Sequence, residues 1–401
     1  MAINDLADVF AAPTGYLTHA LMLDPRRRVV GYRMSWHQPG ANRSAGPAEQ
    51  LKALADCLAE QLNPARKGWR LGRTSLFFDV TADPSLLASL QDLPQENVVL
   101  CIGPEDTTND ALPALQFMRE HGFGLMLCRS AEPPPPGPLR ELLTHFDVGA
   151  GDAELLERLV MEQEAGGSPL RLVVTKPVIE QPRPAASASN DATLQPESTL
   201  ILQLMQMLQR NEDVRQIETA LKHDAVLTYR LLRYINSPAI GPGVEIQSLR
   251  HAVTMLGYSP LFRWLALLLT TSNAASSAPF MTRKAITRGR AVELMGKGML
   301  APADADNLFV VGMFSLIDQL LGVPMEQVLA KVQLAESVQQ AILTRGGVYG
   351  PFLALAESCE GDASKAARLS EDLFMSPGQV NAAQLAALVW SQDVGAAEAP
   401  Y

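Results

Sequence analysis

The sequence is short of the residue types from which most recognisable active sites are built. It has 4 cysteines and 6 histidines in 401 residues. Cys57, Cys101, Cys128 and Cys359 show no CxxC spacing, which argues against a zinc site or a disulfide framework and leaves buried free thiols as the plain expectation. Positive charge is also in deficit, with 33 Lys and Arg against 43 Asp and Glu and a net charge of -10. Broad nucleic-acid binding needs a concentrated cationic surface, so this balance argues against it. No apolar run approaches the ~20 residues of a spanning helix, and the longest, around Trp264 to Leu269, reads as a buried helix. Asp5 and Asp8 stand where a secretory signal would need a basic stretch before an apolar one. A cytoplasmic protein without membrane insertion is expected. There is no GxSxG elbow, no Gly-rich phosphate loop with its Lys and no HExxH helix, and Gly346-Gly347 reads as an interhelical turn.

What is present describes a globular chain: 47% of residues are hydrophobic and 19% charged. The length suits two domains, each with its own core. Between about Leu17 and Val178, short apolar runs alternate with helical patterns. Arg28 to Tyr32, Ser75 to Val80, Asn97 to Ile102, Gly124 to Cys128 and Leu170 to Val174 read as strands, with amphipathic helices at Ala48 to Leu62 and Ala111 to His121. That alternation predicts βα units and a largely parallel sheet of five or six strands. Pro133 to Pro136 reads as a stiff surface loop, with a proline-rich docking ligand as the alternative. The Pro, Ala and Ser-rich stretch 181–195 is the expected domain boundary. From Pro196 to Gln392 the period is helical, and 393–401 reads as a tail.

Two groups of residues carry a resemblance. Arg233-Tyr234-Ile235-Asn236-Ser237, then Ile246-Gln247-Ser248-Leu249-Arg250-His251-Ala252-Val253, then Arg263-Trp264-Leu265 stand in the order of the HDOD family, a non-catalytic relative of the HD phosphohydrolases. The first half resembles, more weakly and in shortened form, the EAL domains of cyclic-di-GMP phosphodiesterases. The tandem is similar to the YuxH-type arrangement. The fold implied is α/β plus all-α, a shortened or remodelled EAL-like (TIM-type) barrel over 1–180 followed by an HDOD helical bundle over 196–392.

The resemblance also implies where chemistry should stand. An EAL enzyme gathers carboxylates at successive strand ends around two divalent cations. This chain has Arg33 in place of the name-giving Glu, Asp79 in place of an Asn, Cys101 in place of a Glu, and Cys128 and Arg129 in place of paired aspartates. The region His145-Phe146-Asp147-Val148 gives no good counterpart to the Lys-Ile-Asp signature. In the second half, Ser315 and Leu316 occupy the HD place, and the upstream segment offers Arg288 and Arg290. His223-Asp224 spells HD at a helix start, where Asp224 suits an N-cap.

The resulting expectation is a non-catalytic bacterial signalling or scaffold protein, with a metal-independent cyclic dinucleotide receptor as the alternative. No cofactor or metal is expected. Arg33, Arg129, Arg230, Arg233, His251 and Arg263 are the candidate ligand or partner contacts, with solvated or helix-end-paired side chains as the alternative for Arg230, Arg233 and Arg263 and a hydrogen-bonded structural side chain for His251. The expected partners are other signalling proteins or a second copy of the chain.

Overall fold

A computed structural model describes residues 15–39, 46–62, 71–128, 130–133, 136–149, 153–165, 170–175, 196–222, 227, 251, 257–272, 279–332 and 334–398. The chain divides into two compact units, one of residues 1–181 with 357–382, the other of 182–356 with 383–401. The stretch 181–195, the His223-Asp224 dipeptide, Pro134-Pro135 and most of 231–257 lie outside the described residues.

The first unit is built on a seven-stranded mixed sheet: β1 Tyr16–Leu23, β2 Val29–His37, β3 Ser75–Asp79, β4 Val98–Ile102, β5 Gly124–Leu127, β6 His145–Asp147 and β7 Arg171–Val173, side by side in chain order. β1 runs antiparallel to β2, and every later pair is parallel. Helices α1 Pro47–Leu62, α2 Leu112–Glu120, α3 Pro138–Leu142 and α4 Ala153–Glu164 fill the crossovers. The two edges meet at one isolated bridge, where Leu23 and Val174 exchange backbone hydrogen bonds of 3.3 and 2.8 Å. The parallel strands read as continuous apolar runs because both faces are covered, and all five residues of β4 are buried.

Two of the seven strands, β1 and β6, go beyond the sequence reading. β1 is the one antiparallel member, joined to β2 by a tight turn closed by Asp24 and Arg28. β6 has three residues, too few for a periodic signal. β2 also runs further than expected, which places Arg33 inside the strand.

Period-two alternation sorts the sheet's inner face into layers. Met22, Phe77, Val99, Cys101, Met126, Cys128 and Val173 form one buried cluster across it. Along β3, β4, β5 and β6 the same face carries Asp79, Cys101, Cys128 and Asp147 at or just past the C-terminal ends. At the N-terminal ends stand Ser75, His145 and Arg171.

Residues 357–382 complete this unit. Helix α14 (Ala363–Asp372) and the start of α15 (Pro377–Glu398) hold β1: Tyr16 and Ser370 share a hydroxyl hydrogen bond, Asn381 Oδ1 accepts from Leu17 N at 2.9 Å, and Asn381 Nδ2 donates to Gly15 O at 2.9 Å. Asp362 caps α14 by accepting from Lys365 N at 2.9 Å.

The second unit is helical: α5 Pro196–Gln209, α6 Val214–Lys222, α7 Tyr258–Ser272, α8 Pro279–Gly296, α9 Pro302–Phe314, α10 Ile317–Leu321, α11 Met325–Val332, α12 Glu336–Thr344 and most of α13 Gly350–Ser358. Helices α8 and α9 approach closely because glycines face each other. A Cβ on Gly312 would lie 2.8 Å from Gly289 Cα and from Arg288 O. Among the described residues, no helix is long and apolar enough to cross a membrane.

Candidate functional site

The C-terminal rim of the sheet brings together one arginine, two carboxyls and two thiols, from Arg33, Asp79, Asp147, Cys101 and Cys128. β2 delivers Arg33, whose Nε donates to Asp79 Oδ2 at 3.1 Å while Nη2 pairs with Asp79 Oδ1. This is a two-point guanidinium–carboxylate contact, the geometry that also suits a phosphate. Burial works against the Arg33 charge. The hydrogen bond and charge of Asp79, with Cys101 and Cys128 nearby, more than offset it and hold the guanidinium firmly protonated. Asp79 itself is half exposed, so the pair opens to solvent on one side.

Asp147, at the end of β6, is the rim's second carboxyl. It is buried, and its Oδ1 accepts a hydrogen bond from Thr175 just beyond β7. Burial pushes its proton affinity up, against the opposing influence of Thr175 and Arg33. Cys101 and Cys128 lie buried between the two carboxyls in sheet order. Burial and the neighbouring Cys128 push the Cys101 thiol up, so it keeps its proton.

A pair of divalent cations would need several oxygen ligands converging on one point. Here Asp79 is engaged by Arg33, Asp147 by Thr175, and Cys101 is held as a thiol. Among the described residues, no three His, Cys, Asp or Glu side chains gather to hold a metal. The rim residues do not fit a two-cation centre; a fixed guanidinium stands among them.

Of the other candidates, Arg263 and His251 belong to the second unit. Arg263, on α7, pairs with Glu293 at 2.8 Å and lies 4.7 Å over the Phe309 ring, so the second unit holds it by helix pairing and cation–π contact. Arg290 shares the same carboxylate at 2.7 Å and stacks over Trp390. His251 is half-buried in a helical residue of the same unit. Arg129, Arg230 and Arg233 lie outside the described residues. At the expected HD place, Arg288 Nη1 donates to Ser315 Oγ at 2.8 Å, both residues buried, and Ser315 Oγ donates to Gly312 O at 2.7 Å. A buried guanidinium thus fills the space between the close-packed α8 and the end of α9.

Sequence reasoning set Asp147 aside within a segment that gives no good counterpart to the Lys-Ile-Asp signature, and passed over Thr175. The signal was the final Asp of His145-Phe146-Asp147, which only becomes a strand-end carboxyl once the three-residue β6 is recognised.

Comparison with known proteins now gives these units context. Residues 194–342 match the HDOD domain family. A relative named cyclic di-GMP phosphodiesterase CdgJ, from Vibrio cholerae, is 23% identical over 402 aligned positions that cover 95% of this chain and 93% of its own length. YuxH of Bacillus subtilis, an uncharacterised protein, is 25% identical over 40% of this chain and 39% of its own. Among solved structures, the Bacillus subtilis YkuI protein, with an EAL domain and described in complex with cyclic-di-GMP and calcium, is similar at 12% identity and a TM-score of 0.31, over 75% of this chain and 72% of that one. The CdgJ alignment overturns the expectation of a non-catalytic scaffold or receptor and of a chain that is not an enzyme. Those expectations rested on replaced metal ligands alone. That relative carries a phosphodiesterase name and is aligned along nearly its whole length.

Proposed function

We propose that the chain is a phosphodiesterase of cyclic-di-GMP signalling, with the sheet rim as the place where the nucleotide is met. One observation carries this reading: the alignment with the relative named cyclic di-GMP phosphodiesterase CdgJ takes in both units of the chain. In this reading the sheet unit is a shortened EAL-like barrel with altered ligand positions. It works in the cytoplasm, alongside other signalling proteins or a second copy of the chain.

The rim supplies groups suited to phosphodiester cleavage. Arg33 can exchange Asp79 for two oxygens of a phosphate, since a guanidinium binds either in the same forked geometry. That exchange frees Asp79 to accept a proton from an attacking water as the new P–O bond forms. Asp147, whose burial favours the protonated carboxyl, can give its proton to the departing sugar oxygen as the old P–O bond breaks. The product is a linear dinucleotide, and water is the only co-reactant.

The test is a chromatographic assay of linear dinucleotide formed from cyclic-di-GMP by the full chain, by Arg33→Gln and by Asp147→Asn. Turnover that falls at least about 100-fold in both variants supports the assignment, since a positioned general acid or base contributes 10²–10⁴-fold. Turnover unchanged by both would remove the rim from the mechanism.

A further inference from the structure

The opposite end of the same sheet carries a second feature. A cavity of about 910 Å³ opens at the N-terminal ends of the strands, bounded by the β1–β2 turn, the starts of β3, β4, β6 and β7, and α4. Its volume lies at the upper end of single-ligand sites, which span roughly 300–1,000 Å³. Four arginines, Arg26, Arg28, Arg73 and Arg171, line it in a chain whose net charge is -10. Arg28 is taken up by Asp24 at 2.6 Å. Arg26, Arg73 and Arg171 have no carboxylate partner among the described residues, although Glu96 and Glu164 line the same space. Three unpaired guanidiniums at one opening are an arrangement that an anion would relieve.

Its floor is neutral and its wall apolar. His145 is buried there, its Nδ1 2.8 Å from Thr144 Oγ1 and its ring edge-on to Phe77 at 5.7 Å. Burial, then the charges of Arg171 and Arg119, lower its proton affinity to a value of about 4, so the imidazole is neutral at physiological pH. Val30, Leu172 and Val173 supply apolar wall. Phe77, Val99 and Met126 are fully or almost fully buried in the layer above and separate this cavity from the rim. Asn97 donates its amide N–H groups to Gly72 O and Thr74 O, and Gln163 donates one of its two to Leu170 O. Their side-chain carbonyls and the two glutamates therefore present acceptors.

We propose that this cavity is a second binding site, distinct from the rim, for a nucleoside monophosphate. The phosphate would sit between Arg73 and Arg171, the flat base against the Val30, Leu172 and His145 surface, and the amino group of the base toward Glu164. A bare phosphate would leave the apolar wall unused, and a polyphosphate would meet the two glutamates.

Calorimetry of the full chain with GMP tests this, with inorganic phosphate and guanosine as partial ligands. GMP should bind, each partial ligand at least about 10-fold more weakly, and the double variant Arg73→Gln, Arg171→Gln should weaken GMP by about 10-fold or more, as expected for loss of hydrogen bonds to a charged group. Glu164→Asp, which withdraws the acceptor carboxylate without removing its charge, should weaken GMP and leave phosphate unchanged. Arg33→Gln, at the rim, should bind GMP as the parent chain does. Absence of GMP binding, or binding indifferent to the arginine pair and to Glu164, would overturn the proposal. Loss of GMP binding in Arg33→Gln would move the ligand to the rim and overturn it as well.

Discussion

Arg33 and His145 lie at opposite ends of one sheet face, and each has a measurable consequence. Asp79 is half exposed, so solvent screens its pair with Arg33 and the contribution to stability stays below about 1 kcal/mol. Arg33→Gln should therefore shift the urea midpoint only slightly while removing turnover. A large midpoint shift would mean that the arginine is structural. His145 titrates lower folded than its ordinary 6.5, at about 4. A lowered folded value gives stability that is present above pH 6.5 and lost as the pH falls through about 4. Urea titrations between pH 7 and 4 should show up to about 3 kcal/mol less of this loss in His145→Gln than in the parent chain. Asp147 has the opposite sign. Its raised folded value gives stability that is present below the ordinary carboxylate pKa and fades as the pH rises through the folded one. Asp147→Asn should keep or gain stability at pH 7 while losing activity, the pattern of a carboxyl retained for chemistry.

At the scale of elements, packing was legible where the period was long and obscure where it was short. The apolar runs at Ser75, Asn97 and Gly124 gave β3, β4 and β5 to within a residue or so, because strands covered on both faces need continuous apolar side chains. β1 was missed because Thr18 and His19 stand side by side in Tyr16 to Leu23, which leaves neither a continuous apolar run nor a strict alternation, and β6 because three residues have no period. Missing β6 hid Asp147, and with it half of the rim. Arg33 was legible from the sequence, but its ion pair with Asp79 needed the parallel register that sets Arg33 beside Phe77. Helix contacts depend on glycines that sequence alone does not pair. Gly312→Ala would place a Cβ 2.8 Å from the Arg288 carbonyl and Gly289 Cα, so chemical denaturation should report a loss of about 1–3 kcal/mol. An unchanged midpoint would mean that α8 and α9 part freely.

At the scale of the whole chain, sequence order and compact units differ. The helical period continues unbroken to Gln392, which reads as one helical domain, yet 357–382 is grouped with the sheet. The reason is local: Asn381 satisfies backbone groups of Gly15 and Leu17, and Ser370 meets Tyr16. Asn381→Ala would leave those buried groups unpaired, and should cost about 2 kcal/mol in the unfolding of the sheet unit. For the same reason, a fragment ending at residue 181 should be less stable than the sheet unit in the full chain. The HDOD match over 194–342 agrees with the motifs read in the second half. The catalytic reading was not legible, because replaced ligands describe which metal chemistry a site has left and not whether an arginine and two carboxyls can act in its place.

The most direct test of that reading is the conversion of cyclic-di-GMP to linear dinucleotide by the purified full chain, followed by chromatography under multiple-turnover conditions. The account predicts a linear product that accumulates beyond one equivalent and disappears in Arg33→Gln. Cyclic-di-GMP recovered intact from the parent chain would contradict it.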